Sequence, residues 1–398
     1  MTIRHPRPVT YRNNDILYTW KSVPDLKYDN WLKMSRPLVG EDFSVDGFPF
    51  FIQIEPTNFC NLKCPVCPAG GFGFERARRH MRPEEFKSII DDMEKYLLFM
   101  TLWDWGEPLL NPDLPEMVRY AADRDIKTVA STNCNCNNFH DRDYLERLLR
   151  SGLSTLILAV DSVDPDRYQI YRIGGELQRA LDGIKRTVAM KKKIGGGPIL
   201  MMRMVAMQHN EHEIVPMRKL ARGLGVDRFS VKTVNPLYTS EFSDKDIVPR
   251  NPKYRRYDYK KGTYERIAIN YHCDVINRQC TIHSNGDVVP CCWCYDNNYV
   301  AGNCLVGGGI TNVWNSAGFK NLRKQIVGDK DSVPYCRTCS MNYKFSRTGW
   351  FLHTIDLTQS KRDQAKYLIK RHLELNLNPS ILEKIIRTRE NIKSIVRG

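Results

Sequence analysis

The stretch Phe50-Phe51-Ile52-Gln53-Ile54-Glu55-Pro56-Thr57-Asn58-Phe59-Cys60-Asn61-Leu62-Lys63-Cys64-Pro65-Val66-Cys67 decides how this chain is read. An apolar run, Phe50 to Ile54, leads into three cysteines spaced C-x3-C-x2-C. The apolar run reads as a buried strand, with Pro49 just before its start. No fourth cysteine lies nearby. Three thiolates can hold three irons of a [4Fe–4S] cube and leave the fourth iron open to a small molecule, whereas a closed four-cysteine site mostly carries electrons or structure. A zinc site with a distant fourth ligand fits the same spacing. Location favours the cluster. In a barrel of parallel strands the loops after strand C-termini form the active face, and this run follows the first strand directly.

Downstream, from Phe48 to about Pro236, strands and amphipathic helices alternate. Strands are expected at Phe50–Glu55, Met100–Trp105, Lys127–Ser131, Leu156–Val160, Leu200–Ala206 and Arg228–Thr233. Helical spacing puts Phe86, Ile89, Ile90, Met93 and Leu97 on one face, with Pro83 suited to the first turn. Leu114, Met117, Val118 and Ala121 follow, with Asn111 as the expected cap and Pro112 at the first position. Later helices carry Leu145, Leu148 and Leu149; then Leu177, Leu181, Ile184 and Val188; then Ile214, Met217, Ala221 and Leu224. Six strands alternating with five helices imply an α/β fold with a parallel sheet, which curls into a partial (β/α)6 TIM-like barrel or stays open. Residues 1–47 are expected to pack on this body as an extension. From 237 to 347 cysteines and glycines replace the helical pattern and mark a second domain. A basic helical tail fills 348–398, with Ile381, Ile385, Ile392 and Val396 on one apolar face that docks onto the body.

The chain has 398 residues, a net charge of +15 and 13 cysteines. That length allows one sizeable core plus a smaller domain. The polar, charged stretch from Met1 to Trp20 is not a secretory signal, and no apolar run is long enough to span a bilayer. The cysteines therefore fit a reducing cytoplasm and metal chemistry better than a disulfide framework. The positive charge reads first as a solvated surface and then as affinity for phosphate or carboxylate; no aromatic-basic RNA motif accompanies it.

The C-x3-C-x2-C run resembles that of the radical S-adenosylmethionine (SAM) enzymes, with Val66 where many members have an aromatic residue. Other strand ends agree. Trp105-Gly106-Glu107-Pro108 is similar to the Gly-Gly-Glu-Pro element, where backbone meets the methionine end of SAM. Ser131-Thr132-Asn133 and Val160-Asp161-Ser162 are similar to ribose-side segments, and Arg203 is placed to pair with the SAM carboxylate. The resemblance thus implies that Cys60, Cys64 and Cys67 hold a SAM-binding [4Fe–4S] cluster, and that Gly106, Glu107, Asn133, Asp161, Ser162 and Arg203 surround SAM.

A second group, Cys273, Cys280, Cys291, Cys292 and Cys294, precedes Cys336-Arg337-Thr338-Cys339, and Asn285-Gly286-Asp287 reads as a tight turn. A structural zinc site fits these spacings. The stretch resembles the SPASM auxiliary-cluster domain in its shortened twitch form, which implies a second [4Fe–4S] cluster on Cys273, Cys291, Cys336 and Cys339. Cys280 is an alternative to Cys273, and Cys292 to Cys291.

The family's chemistry implies a 5′-deoxyadenosyl radical that takes hydrogen from an unactivated C–H, with electrons from a donor such as flavodoxin or ferredoxin. Two outcomes follow: oxidation of an alcohol carbon, with the auxiliary cluster accepting an electron, or epimerisation by hydrogen return from a thiol. Cys134 and Cys136, after Asn133, are the candidate catalytic donors, although buried packing accounts for them equally. The expected substrate is a sugar- or cyclitol-type polyol, phosphorylated or nucleotide-linked. A ribosomal peptide is the alternative, and a scaffold with structural clusters ranks last.

Overall fold

The computed structural model describes residues 7–72, 75–236 and 243–376. Strands β1 (Val9–Asn13) and β2 (Ile16–Trp20) pair as a hairpin, turned by Asn14 and Asp15 at positive φ. Short polar side chains tolerate that conformation. Six strands then run parallel in sequence order: β3 (Phe51–Ile54), β4 (Phe99–Leu102), β5 (Lys127–Thr132), β6 (Thr155–Ala159), β7 (Ile199–Ala206) and β8 (Arg228–Thr233). Every expected strand is present; β4 ends at Leu102 rather than Trp105. Five helices, Pro83–Met93, Leu114–Ala122, Arg142–Arg150, Leu177–Ile194 and Ile214–Leu224, lie between them and bury nearly all of the expected positions, with Leu181 only partly covered. This is the partial (β/α)6 barrel.

Alternation along the strands separates two faces. Ile52, Ile54, Met100, Leu102, Leu156, Leu158, Met202 and Met204 join the helices in the main core. Phe51, Phe99, Val129, Ile157 and Met201 point the other way and pack against Val9, Ile16, Tyr18 and Trp20 of the hairpin. Each such side chain contributes roughly 2 kcal/mol by leaving water. The Tyr18 hydroxyl bonds the Thr155 hydroxyl at 2.9 Å, and Trp20 Nε1 donates to Asp125 O at 3.1 Å. Thr155 begins β6, and Asp125 lies just ahead of β5. The extension therefore plugs the inner face at the strands' N-terminal end and leaves the C-terminal end for the site.

The sheet does not stop at six strands. Strand β9 (Thr281–Ile282) pairs parallel with β3, and β10 (Asp287–Val289) and β11 (Gly302–Asn303) extend that edge antiparallel. The cysteine-rich segment thus adds β9, β10 and β11 to the edge of one ten-stranded sheet. Its tight turn is present: Gly286 has φ +87°, and a Cβ there would lie 2.5 Å from Leu305. At the other edge β12 (Phe351–Asp356) runs antiparallel to β8. Phe351 to Asp356 is therefore strand rather than part of a helical tail, because the half-buried edge of β8 takes up its backbone and Thr354 Oγ1 bonds Ser230 Oγ at 3.1 Å. Helix Lys361–Asn376 follows, and Arg371 ties it to the Phe351 and Leu352 carbonyls at 3.0 and 2.9 Å. The apolar face Ile381–Val396 lies outside the described residues. No helix among the described residues is long and apolar enough to cross a membrane.

Candidate active site

The loop after β3 is braced from four sides before it reaches the thiols. Arg76 makes a bidentate pair with Glu55, both contacts 2.7 Å and both side chains buried. Asn58 bridges Ala77 O and Arg79 N, each at 2.8 Å. Asn111, expected as a helix cap, instead donates to Pro56 O at 2.8 Å and Met81 O at 3.0 Å; its helix starts at Leu114 after Asp113. A Cβ on Gly106 would sit 2.2 Å from Thr57 O, so the loop after β4 can press against the thiol loop only with glycine there. A Cβ on Gly70 would likewise meet Leu62 O at 2.7 Å.

Cys60, Cys64 and Cys67 come together in this loop and repel one another as thiolates. Burial and then the Glu107 carboxylate push Cys60 up to about 12; burial and then the other two sulfurs push Cys67 up to about 12. Donors oppose this. Leu62 N–H is directed at Cys60, Ala69 and Gly70 N–H at Cys67, and Arg172 Nη1 lies 3.8 Å from Cys64 Sγ. Three gathered thiols, Cys64 buried and Cys60 and Cys67 half-buried, with N–H donors aimed at sulfur suit thiolates bound to a cationic centre, and so fit an iron–sulfur cluster.

The neighbouring strand ends form a fixed network. Glu107 accepts from Asn133 N at 2.7 Å and Leu109 N at 3.2 Å, and burial, only partly offset by these bonds, raises it to about 7. Asn133 Nδ2 donates to Asn61 Oδ1 at 2.9 Å, within the thiol loop. Asp161 accepts from Val205 N at 2.7 Å and from Arg172 Nε at 2.6 Å. Beside the triad lies a cavity of about 510 Å³ lined by Val66, Tyr171, Met207 and His209, among others.

Three expected roles do not match this geometry. Ser162 is fully buried and gives its hydroxyl to Glu213 Oε2 at 2.6 Å, so it is not open to a ribose. Arg203 has Tyr18, Met201 and Phe351 as neighbours and none from the thiol loop; the cation at the triad is Arg172. Cys134 and Cys136 are 0 % and 1 % exposed and belong to the main core. Cys134, at φ +63°, and Cys136 both neighbour the Glu107 carboxylate, with Cys136 Sγ 4.0 Å from Glu107 Oε1.

The second thiol group sits across the same end. Cys273, Cys291, Cys336 and Cys339 are mutual electrostatic neighbours, and Cys294 stands close to Cys291 and Cys336. The Cys294 thiol and the Trp293 and Cys294 N–H groups, directed at Cys291, hold it below its usual value despite burial. Cys280 is apart, beside Cys304 and Arg323, which removes it as an alternative ligand. Cys292 neighbours Cys291 and Cys339 of the set as well as Asp104 and Lys232. Two bonds lock this stretch to the barrel: Trp105 Nε1 to Cys292 O and Arg76 Nε to Tyr295 O, both 2.8 Å.

Family comparison agrees with the two thiol sites. Residues 54–221 match the radical SAM superfamily, and residues 273–340 match SPASM, an iron–sulfur cluster-binding domain. The chain therefore carries a radical SAM domain and a SPASM domain. Among curated radical SAM relatives, GTP 3′,8-cyclase of Listeria welshimeri is 29 % identical over 174 residues, covering 43 % of this chain and 50 % of its own. Fe-coproporphyrin III synthase of Methanosarcina barkeri is 26 % identical, covering 58 % of each. PqqA peptide cyclase of Granulibacter bethesdensis is 26 % identical, covering 47 % of each. The chain thus spans about half the length of the curated relatives it matches. In fold it is similar to Streptococcus suis SuiB bound to S-adenosylmethionine, with TM-score 0.54, 17 % identity and coverage of 75 % and 71 %. AdoMet-bound anSMEcpe gives TM-score 0.51 at 13 % identity, covering 84 % and 98 %.

The cofactors of this radical SAM and SPASM pairing are SAM, a SAM-binding [4Fe–4S] cluster and an auxiliary [4Fe–4S] cluster. The thiols that would hold them are those described: Cys60, Cys64 and Cys67 at one site, and a set drawn from Cys273, Cys291, Cys294, Cys336 and Cys339 at the other. Beside the auxiliary thiols lies a group that sequence reasoning missed. Asp104 is fully buried, accepts from Gln53 Nε2 at 2.7 Å through Oδ1, and has no partner for Oδ2. Burial and then the Glu55 carboxylate hold it well above the usual carboxylate range. His283 Nε2 is 3.9 Å away, and burial lowers that ring to about 4, so it is neutral.

Proposed function

We propose that this chain is a radical SAM oxidoreductase that removes two hydrogens from an alcohol carbon of a sugar- or cyclitol-type substrate. The observation that carries the reading is Asp104: a carboxylate with one free, buried oxygen, electrostatically coupled to Cys291 of the auxiliary thiol set. SAM bound at the first cluster supplies the 5′-deoxyadenosyl radical that takes hydrogen from carbon. The protein's own part is to orient the alcohol, exclude water and take the hydroxyl proton. Asp104 is the group placed to take that proton, through its unpartnered Oδ2. An auxiliary cluster held by thiols drawn from Cys273, Cys291, Cys294, Cys336 and Cys339 would supply the acceptor for the remaining electron. The place of Asp104 beside the auxiliary thiol set supports oxidation over epimerisation through Cys134 or Cys136.

The relation to PqqA peptide cyclase favours a second reading, modification of a ribosomal peptide. Against it, the hairpin Val9–Trp20 is committed to the barrel, with Val9, Ile16, Tyr18 and Trp20 buried against its inner face. The discriminating experiment is anaerobic incubation of the reconstituted protein, SAM and reductant with panels of polyols and of peptides. Loss of two hydrogens from a polyol, matched to 5′-deoxyadenosine, supports the first reading; turnover of peptide alone overturns it.

A further inference from the structure

On β7 and β8 the residues that face the helices are Met202, Met204, Phe229 and Val231. Arg203, Ser230 and Lys232 therefore face the barrel interior, with Arg203 paired in register to Ser230 and Val205 to Lys232. Arg203 is 7 % exposed, its one hydrogen bond is from Nη2 to Met201 Sδ at 3.3 Å, and its Nε is buried without a partner. Lys232 Nζ and Arg256 Cζ share one aromatic wall, 5.7 and 5.0 Å from the Trp350 ring centre. Arg203 Cζ lies 5.4 Å from the neighbouring Phe351 ring. Arg256 is tied to Thr233, Nε to Oγ1 at 3.3 Å and Nη2 to the carbonyl at 2.7 Å, and Arg203 has Asp15 as an electrostatic neighbour, but among the described residues no carboxylate forms an ion pair with any of the three cations.

Such an arrangement is costly in an empty protein. Burial, then Arg256, then Arg203 push Lys232 down to about 7, and burial brings Arg203 to about 10. Buried charges are ordinarily paired. We propose that Arg203, Lys232 and Arg256 form a subsite for a phosphoryl group of the substrate, on the inner wall opposite the thiol triad. This deepens the oxidoreductase reading, on which it rests only in giving the anion to the substrate. Three cations match the charge of about −1.5 to −2 on a phosphoryl group better than a single carboxylate charge, and guanidinium forks fit phosphate oxygens. The methionine carboxylate of SAM is a poorer fit, because the thiol loop has its own cation in Arg172.

The test is calorimetric titration of the anaerobically reconstituted protein with inorganic pyrophosphate at constant ionic strength, with and without saturating SAM. Binding is expected in both conditions. Lys232→Gln and Arg203→Gln are each expected to weaken it at least about tenfold, while Lys219→Gln on an exposed helix face leaves it unchanged. Iron per chain checks that each variant is assembled; if one fails to load, the other is read. The proposal is overturned by no binding, by undiminished binding in both site variants, by equal binding of acetate, or by loss of binding when SAM is present. Wild-type cleavage of SAM under reductant is scored separately. Pyrophosphate binding without 5′-deoxyadenosine would leave the subsite standing and remove the radical reading, and the converse would do the opposite.

Discussion

Arg172 Nη1 lies 3.8 Å from Cys64 Sγ while its Nε is held by Asp161 Oδ2 at 2.6 Å. The guanidinium is buried and fixed, so it acts on the thiolate as a preset positive charge rather than a mobile one. Asp161, expected from sequence to face ribose, instead braces this cation and the Val205 N–H. Arg172→Met should lower cluster retention or SAM cleavage roughly 10- to 100-fold, the usual cost of losing a partner of a metal ligand. Asp161→Asn, which keeps size but loses the pair, should move both in the same direction. Iron retained under chelator, with the cluster's reduction potential, reads the effect; an unchanged potential in both variants would remove Arg172 from this role.

Asp104→Asn should reduce substrate oxidation by about 10² to 10⁴, the range for a lost general base. Asp104→Glu moves the carboxylate by one methylene and should recover part of the rate. Full activity in the Asn variant would assign proton removal elsewhere.

The auxiliary thiols make a ligand-set prediction. Cys291→Ala should lose about four irons per chain, because Cys291 neighbours every other thiol of the set. Cys280→Ala should keep its iron, since that thiol faces Cys304 and Arg323. Cys294→Ala and Cys339→Ala, compared by iron content, decide which of the two completes the set.

Glu107 sets a pH dependence. Its folded value is raised from 4.5 to about 7, chiefly by burial. A raised carboxyl contributes stability that is fully present below the unfolded value and is lost as pH climbs through the folded one. Between about pH 4.5 and 7 the chain should therefore lose up to about 3 kcal/mol from this group. Urea unfolding at several pH values in that window should show the decline in wild type and a flatter profile in Glu107→Gln. An equal slope in both would place the dependence on another group.

The barrel was legible because its signal is periodic: Phe86, Ile89, Ile90 and Met93 repeat at helical spacing, and the six strands carry apolar runs between them. The thiol triad was legible because its spacing is local. What sequence could not provide was long-range pairing. Phe351 to Asp356 is a strand because β8 offers an edge, and Thr281–Ile282 extends the barrel because β3 does. Side-chain direction was the other gap. Ser162, Arg203, Cys134 and Cys136 sit at or near the expected strand ends, yet their atoms are spent on Glu213, on the inner wall or in the core. Asp104 stands two residues before Gly106 of the family-like element, and only its burial beside Glu55 and Cys291 marks it out.

The central claim, that the triad holds a cluster at which SAM is reductively cleaved, is tested most directly by 5′-deoxyadenosine formation. The protein would be reconstituted anaerobically to about eight irons per chain and given SAM and a low-potential reductant. The account predicts 5′-deoxyadenosine from the wild-type protein and none from Cys64→Ala. A wild-type protein carrying both clusters that leaves SAM intact, or a Cys64→Ala variant that cleaves it as well as wild type, would contradict the account.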